Sequence, residues 1–232
     1  MGPRWKGKDF ESKALALPMS EIVLQLQKCL IGSNGKGVFS GFNVILTVEV
    51  EEAKLLGDAC FGSPIITSDE TKQWFQLGME EAIFLRTYLR CLKIVDHNGI
   101  LKSDLEAWQY MVSLNSDFSG LYIGYSHLRK KNWVVRPGSQ YGVDFVVYRH
   151  HPSIVHSEYA VIVLFEGQKR DRLTVWSDVY CTIRLCGNVA KTLLILDISR
   201  SGNGSAPLWS LDGYLIKERT ISRWLPEENR EV

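Results

Sequence analysis

The stretch YGVDFVVYRHHPSIVHSEYAVIVL, residues 141–164, ends one apolar run at Tyr148 and opens the next just after His156, with His150 and His151 between them. Farther along, RLCGNVAK supplies Arg184 and Lys191. A tyrosine, a histidine and a lysine around one substrate suit a specific task, the metal-free transfer of a phosphoryl group within RNA. A base removes the proton of a ribose 2′-hydroxyl, which attacks its own 3′-phosphate. An acid protonates the departing 5′-oxygen, and a fixed cation stabilises the crowded, doubly charged phosphorane. Histidine, with a reference pKa of about 6.5, is a good acid near neutrality. Tyrosine, at about 10, is ionised in roughly one molecule in a thousand at pH 7. A neighbouring ammonium such as that of Lys191 would lower its pKa and make it a plausible base.

The same residues have plainer readings. A tyrosine at a strand end is commonly a half-buried amphipathic filler. His150 and His151, beside Arg149, read as solvated loop residues, His156 as a polar residue ahead of a strand, and Lys191 as a solvated charge at a strand end. The choice turns on which elements carry these side chains to one place.

From residue 132 onward the pattern is strand-like. WVVR, YGVDFVVY, SEYAVIVLF, RLTVWSDVYCTIRLC and KTLLILDI are five strand candidates separated by short Gly, Pro and charged loops. The long apolar runs of the third and fifth predict central strands covered on both faces. If 141–148 and 157–165 pair as an antiparallel hairpin, Tyr148 and His156 share an edge bridged by the loop 149–155, which contains Pro152. A strand over 173–185 would return to that edge with Arg184, and a tight turn through Gly187 and Asn188 would start the last strand at Lys191. Such a meander gathers Tyr148, His156, Arg184 and Lys191 at one end of the sheet, provided each strand runs antiparallel to the one before it.

The first half is helix-rich. SEIVLQLQKCLIG reads as a helix capped by Ser20, with Ile22, Leu24, Leu26, Cys29 and Leu30 as its apolar face, broken by Gly32, Gly35 and Gly37. FNVILTVEV (42–50) alternates as a strand, and EEAKLLGDACFG continues as a short helix. GMEEAIFLRTYLRCLKI (78–94) gives the clearest amphipathic helix, with Ala82, Leu85, Leu89 and Leu92 at helical spacing. SDLEAWQYMVSL (103–114) opens with a cap at Ser103. DFSGLYIGYSHLRKKNW (117–133) opens at Asp117 and ends in Arg129, Lys130 and Lys131, cations that suit a helix C-terminus. The expected organisation is an α+β two-domain chain: a disordered, polar and basic tail over 1–18, a helix-rich α+β domain over 19–115, and a sheet-centred domain over 116–232.

The totals exclude more than they assign. A chain of 232 residues has ample apolar content for a core. Net charge is only +1, with 12 Lys/Arg against 14 Asp/Glu up to residue 115 and 15 against 12 beyond it, so bulk charge does not announce a nucleic-acid binder. Five cysteines (Cys29, Cys60, Cys91, Cys181, Cys186) are odd in number and widely spread, which predicts reduced, mostly buried thiols in an intracellular protein. Cys181 and Cys186 lack the second Cys/His pair that a zinc site requires. The apolar run YAVIVLF (159–165) is too short to cross a membrane, and Lys6 breaks the usual myristoylation pattern. GSNGKG (32–37) is too short for a phosphate-binding loop, and GNGSA (202–206) lacks the second Gly of a nucleophile elbow.

GSQYGVDFVVYRHHPSIVHSEYAV (138–161), followed by RLCGNVAK (184–191), resembles the catalytic core of the tRNA-splicing (tRNA-intron) endonucleases. WFQLGMEEAIFL and YSHLRKKNWVVRPG extend the likeness over roughly residues 20–226. The whole resembles a plant-type catalytic subunit of the eukaryotic enzyme, of the kind assigned to the 5′ splice site. That resemblance implies a C-terminal restriction-endonuclease-like α/β catalytic domain with a mixed sheet. It places the family's base, acid and cation on Tyr148, His156 and Lys191, leaving His150 and His151 as loop neighbours. It sets the Arg and the aromatic residue that grip an extruded intron base on Arg184 and, in ISRWLPE, on Trp224. Gln140 departs from the Lys that many relatives carry there.

The resemblance further implies cleavage of intron-containing precursor tRNA without metal or other cofactor, to 2′,3′-cyclic phosphate and 5′-hydroxyl ends. Its implied partners are a second catalytic subunit and two structural subunits in a heterotetramer, away from membranes and in the nucleus. Two alternatives stand beside it. One is a non-catalytic, RNA-binding or structural subunit of the same complex. The other is a metal-dependent nuclease using Asp144 and Glu158, disfavoured because Ala160 rather than Lys stands two residues after Glu158.

Overall fold

Two segments open the chain as helices, α1 (Phe10–Ala16) and α2 (Met19–Gly32), and the break between them is Pro18, whose extended backbone serves as the N-cap of α2. Proline is well suited to that boundary because it cannot continue a helix from its own nitrogen. The helix therefore starts one residue before Ser20, and the expected serine cap is not used. α2 turns Met19, Ile22, Leu26 and Leu30 into the core and leaves Leu24 exposed. The computed structural model describes residues 2–66, 73–167, 173, 175–188, 191–201 and 206–221. The segment 2–18, expected as a disordered tail, contains α1 and packs on the C-terminal half.

After α2 come β1 (Lys36–Ser40), β2 (Asn43–Val48), α3 (Val50–Asp58), β3 (Ser63–Ile65), β4 (Gln73–Gly78), α4 (Met79–Thr87), β5 (Lys93–Val95) and α5 (Asp104–Leu114). The strands make one sheet in the order β3-β4-β2-β1-β5, with β5 parallel to β1. Ser103 caps α5 as expected, in a reciprocal box with Glu106. The helix expected over 78–94 stops at Thr87. Met79, Glu81, Ala82, Ile83, Phe84 and Leu85 are all buried, so α4 lacks the polar face of an amphipathic helix. Arg90 then takes a left-handed turn (φ 53°), and the chain enters β5. β1 and β5 are too short to reveal a period in sequence.

The second half runs α6 (Phe118–Lys130), β6 (Val134–Pro137), β7 (Phe145–Tyr148), β8 (Tyr159–Phe165), α7 (Trp176–Asn188), β9 (Thr192–Arg200) and β10 (Tyr214–Ile221). Its sheet has the order β10-β9-β8-β7-β6, and β8 and β9 are parallel while the other neighbours are antiparallel. The mixed sheet and the central placing of 157–165 and 191–198 agree with expectation. The strand expected over RLTVWSDVYCTIRLC does not form, and α7 occupies most of it. Parallel neighbours cannot be joined by a tight hairpin and need a crossover, usually a helix. The helical period was present: Val179, Thr182, Ile183 and Cys186 face inward at i, i+3, i+4 and i+7, while Trp176, Tyr180 and Arg184 stand exposed. β10 went unnoticed because Lys217, Glu218 and Arg219 interrupt its alternation on an edge strand.

α6 covers one face of this sheet and α7 the other. Phe118, Tyr122, Ile123, Val161, Val163, Leu194 and Leu196 belong to a core that runs on without a break into Leu26, Leu30, Phe61, Ile83 and Trp108 of the first half. Beneath α7 a smaller cluster joins Val146, Ala160, Ile162, Leu193, Ile195 and Cys186. No single helix among the described residues is long and apolar enough to cross a membrane. The five cysteines form no disulfide, and burial pushes Cys60 and Cys91 up to about 11 and about 12.

The halves are tied by buried charge as well as by this core. Arg129, at the end of α6 and only 6% exposed, donates to the carbonyls of Ala59 and Cys60 and to the Tyr125 hydroxyl. Its guanidinium carbon lies 4.1 Å from the centroid of the Phe61 ring. Nearby, Glu81 accepts from the backbone nitrogens of Gly62 and Gly78, and Arg136 of β6 donates to the Gly62 carbonyl at 2.9 Å. Gly62 has φ +66°, and a Cβ there would sit 2.7 Å from the Gln76 carbonyl oxygen. A cleft of about 350 Å³ opens beside these groups, lined by Glu80, Glu81, Arg136, Tyr125 and Phe145. Burial pushes Glu80 up to about 7, with Glu81 and Asp144 adding to the shift.

Candidate active site

β7 delivers Tyr148. Phe145, Val146 and Val147 are buried between the layers, and the strand ends where its next residue reaches the sheet rim. The turn that launches β7 depends on Gly138, whose nitrogen donates to the Asp144 carbonyl and whose carbonyl accepts from Tyr141 and Val143. A Cβ on Gly138 would lie 2.5 Å from the Val143 side chain and 2.9 Å from the Val143 carbonyl oxygen. Asp144 then accepts from the backbone nitrogen of Val163, fixing β7 against β8. These contacts explain the Tyr-Gly-x-Asp-Phe run, and they put Tyr141 in the turn ahead of β7.

The register sets the site. Val147 lies opposite Tyr159, and Tyr159 lies beside Thr192 across the parallel pair. Tyr148, the residues just before Tyr159, and Lys191 therefore occupy the same end of three adjacent strands. At about 4.8 Å per strand, the backbones carrying Tyr148 and Lys191 stand roughly 10 Å apart with 156–158 between them. The glutamate there is anchored on both sides: Glu158 donates its backbone nitrogen to Val147, accepts from Thr192 and pairs through its carboxylate with Arg149 at 2.9 Å. The meander assumed from sequence is thus replaced by a crossover, yet the backbones of Tyr148, His156 and Lys191, three of the four residues it was to gather, still share one sheet end. In a parallel pair both strands start at the same end, and the β8 start lies beside the β7 end. Arg184 stands on the exposed face of α7, seven residues before Lys191, rather than on a strand. Trp224 lies outside the described residues.

Each side chain has a distinct environment. Tyr148 is half-buried, and burial raises its phenol above the usual tyrosine value, opposed by a hydrogen bond from Ser157 and by the charge of Arg136. Lys191 does not provide the expected relief. Its ammonium sits 4.3 Å from the centroid of the Tyr141 ring, and it is held below the usual lysine value by burial and then by the charge of Arg4. His156 is exposed, and its backbone nitrogen donates to the Arg4 carbonyl at 3.0 Å.

The other two histidines separate from it. His150 is buried, contrary to its reading as a solvated loop residue, and its Nε2 donates to the Leu17 carbonyl at 2.9 Å. A carbonyl only accepts, so Nε2 carries the proton. His151 accepts at Nδ1 from the Ser153 backbone, and burial lowers its pKa. Both are committed to holding the loop. Among the described residues no three His, Cys, Asp or Glu side chains cluster so as to hold a metal ion.

Sequence reasoning missed Tyr141, Ser157 and the N-terminal residues at this rim. Ser157 follows His156 directly, but its partner is set by the hairpin register. Tyr141 meets Lys191 because the turn ahead of β7 packs its ring against the start of β9, a contact between distant segments that no local spacing reveals.

The family model for the tRNA intron endonuclease catalytic C-terminal domain matches residues 118–204, and that for the tRNA intron endonuclease N-terminal domain matches residues 35–106. The chain is 51% identical to tRNA-splicing endonuclease subunit Sen2-1 of Arabidopsis thaliana, across all of its own length and 98% of that protein's. It is 45% identical to a probable tRNA-splicing endonuclease subunit Sen2 of Oryza sativa subsp. japonica, over 99% of this chain and 82% of the relative. It is 29% identical to tRNA-splicing endonuclease subunit Sen2 of Mus musculus, where the match spans 68% of this chain and 36% of the relative.

Proposed function

The chain belongs to the tRNA-intron endonuclease family as a tRNA-splicing endonuclease subunit with a catalytic domain, and from that premise we propose that Tyr148, His156 and Lys191 are its cutting residues. The Tyr148 phenolate takes the proton of the 2′-hydroxyl at the splice junction. The freed oxygen forms a bond to phosphorus while the bond from phosphorus to the 5′-oxygen breaks. The His156 imidazolium gives its proton to that 5′-oxygen, and the Lys191 ammonium stabilises the charge on the phosphorane. The ends are a 2′,3′-cyclic phosphate and a 5′-hydroxyl, with no redox change and no metal-bound nucleophile.

The observation that supports this reading is the strand register: the end of β7, the approach to β8 and the start of β9, the segments of Tyr148, His156 and Lys191, lie at the same end of adjacent strands. Burial raises the Tyr148 phenol above the usual tyrosine value, and the hydrogen bond from Ser157 opposes that shift. Arg184 and Trp224 are proposed as the pair that stacks on an extruded intron base, a contact worth about 1–3 kcal/mol per base. The working form is a nuclear heterotetramer with a second catalytic and two structural subunits, and this chain cuts the 5′ splice site of the precursor. Cleavage of an end-labelled precursor by the reconstituted assembly, one substitution at a time at Tyr148, His156 and Lys191, tests the assignment. Undiminished cutting by all three variants would leave this chain a binding subunit.

A further inference from the structure

The loop that carries His156 is not held by its own hairpin alone. Residues 4–6 lie beside it as an extra piece of antiparallel strand, with Trp5 opposite Val155. Two backbone hydrogen bonds close the pairing: Lys6 N–H donates to the Ile154 carbonyl at 2.9 Å, and His156 N–H donates to the Arg4 carbonyl at 3.0 Å. The Lys6 ammonium adds a bond to the Pro152 carbonyl at 2.7 Å. At the other end of the same segment, the Leu17 carbonyl accepts from buried His150. The N-terminal segment thus grips the loop at both ends, with Val155 wholly buried between the anchors.

We propose that residues 4–6 form a positioning strap that fixes the backbone of the catalytic histidine, leaving its ring exposed to meet the RNA. The inference rests on the assignment of His156 as the acid. An acid must reach the leaving oxygen within hydrogen-bond distance, and a displacement of about 1 Å can lower a rate about 10²-fold. Within the loop between Tyr148 and Tyr159, Arg149 pairs with Glu158 and a short turn closes 151–154, while His150 is held by Leu17 of the N-terminal segment. The loop's last residues before His156 find their backbone partners in the strap. The strap also carries positive charge to the rim, since Arg4 is one of the groups acting on Lys191.

The test is single-turnover cleavage of an intron-containing precursor tRNA by the reconstituted assembly, comparing Lys6→Pro with Lys6→Ala. Proline removes the N–H that donates to Ile154, whereas alanine keeps it and loses only the ammonium. Lys6→Pro is expected to slow the saturated cleavage step at least tenfold, with RNA affinity within about threefold and an unchanged melting temperature. Lys6→Ala is expected to stay within about threefold of the parent rate. Placed on His156→Ala, Lys6→Pro should add no further loss, because the strap acts through that residue. Should Lys6→Pro melt the assembly, deletion of residues 2–6 is read in the same two backgrounds with the same expectation.

A parent rate in the strap variant while His156→Ala is inactive would overturn the strap and leave the acid assignment standing. So would a tenfold loss that repeats in full on His156→Ala. Full activity of His156→Ala itself would overturn the acid assignment and the strap with it.

Discussion

Two regions of this molecule concentrate charged and titratable groups, and they treat them in opposite ways. At the junction between the halves Arg129 and Glu81 are met by fixed partners. Arg129 has two carbonyls, a phenol and the Phe61 face, and Glu81 has two backbone donors. At the rim of the second sheet the backbones are just as firmly fixed, but the functional ends are left available. His156 is tied by its nitrogen and exposes its ring, and Lys191 faces an aromatic ring rather than a carboxylate. Saturated groups serve the fold, because leaving a buried polar partner unmet costs about 1–3 kcal/mol. Groups held in place but not saturated can exchange protons with a substrate.

The contrast is broken most severely at the rim. His156→Ala is expected to lower the single-turnover rate by about 10²- to 10⁴-fold, the usual worth of a general acid, with little change in melting temperature. Tyr148→Phe keeps the ring that packs against the core and should likewise retain stability and RNA binding while losing cleavage. A rim variant that unfolds the assembly would show these residues to be structural after all.

Arg129→Met should do the reverse. It strands the Ala59 and Cys60 carbonyls and the Tyr125 hydroxyl in the interior, so chemical denaturation should report a loss of about 2–4 kcal/mol. The rate per folded molecule should stay within a few-fold of the parent. Equal damage to rate and stability would mean that the junction and the rim are coupled.

Glu80 sharpens the comparison through pH. Its folded pKa, about 7, lies above the usual 4.5, so the folded chain holds a proton that the unfolded chain releases first. Stability from this group is present below pH 4.5 and is lost as the pH rises toward 7. Because Glu80 is only partly buried, the expected gain of Glu80→Gln is about 1–2 kcal/mol at pH 8, vanishing near pH 4. Melting curves across that range check the sign. The smallest effect belongs to His151→Ala, which should leave cleavage within about threefold of the parent. A larger loss than that of His156→Ala would mean the wrong histidine has been assigned.

Much of this was legible in the sequence where the signal is local. Ser103 and Glu106 announce the start of α5 by a reciprocal cap, and the apolar runs 159–165 and 192–198 mark the two inner strands. The resemblance carried by residues 138–161 and 184–191 pointed to Tyr148, His156 and Lys191 together, and the sheet puts them on one rim. Legibility failed where the outcome depends on distant partners. The 176–188 segment mixes β-branched and aromatic residues, which suit a strand locally, while the parallel pairing of β8 and β9 demands a helix there. His150 looks solvated beside Arg149 and His151, and becomes buried only because α1 and the residues around it fold over the loop. The tail 1–18 reads as polar and basic, and its partner strand lies about 150 residues away.

The central claim is that this rim cuts RNA by proton transfer among side chains. Its most direct test is single-turnover cleavage of a 5′-labelled precursor by the reconstituted assembly in excess EDTA, with the new 3′ end identified. The expected result is a rate within about twofold of that without chelator and a 2′,3′-cyclic phosphate end that Tyr148→Phe fails to produce. Loss of cleavage in EDTA, restored by magnesium and yielding a 3′-hydroxyl, would contradict it.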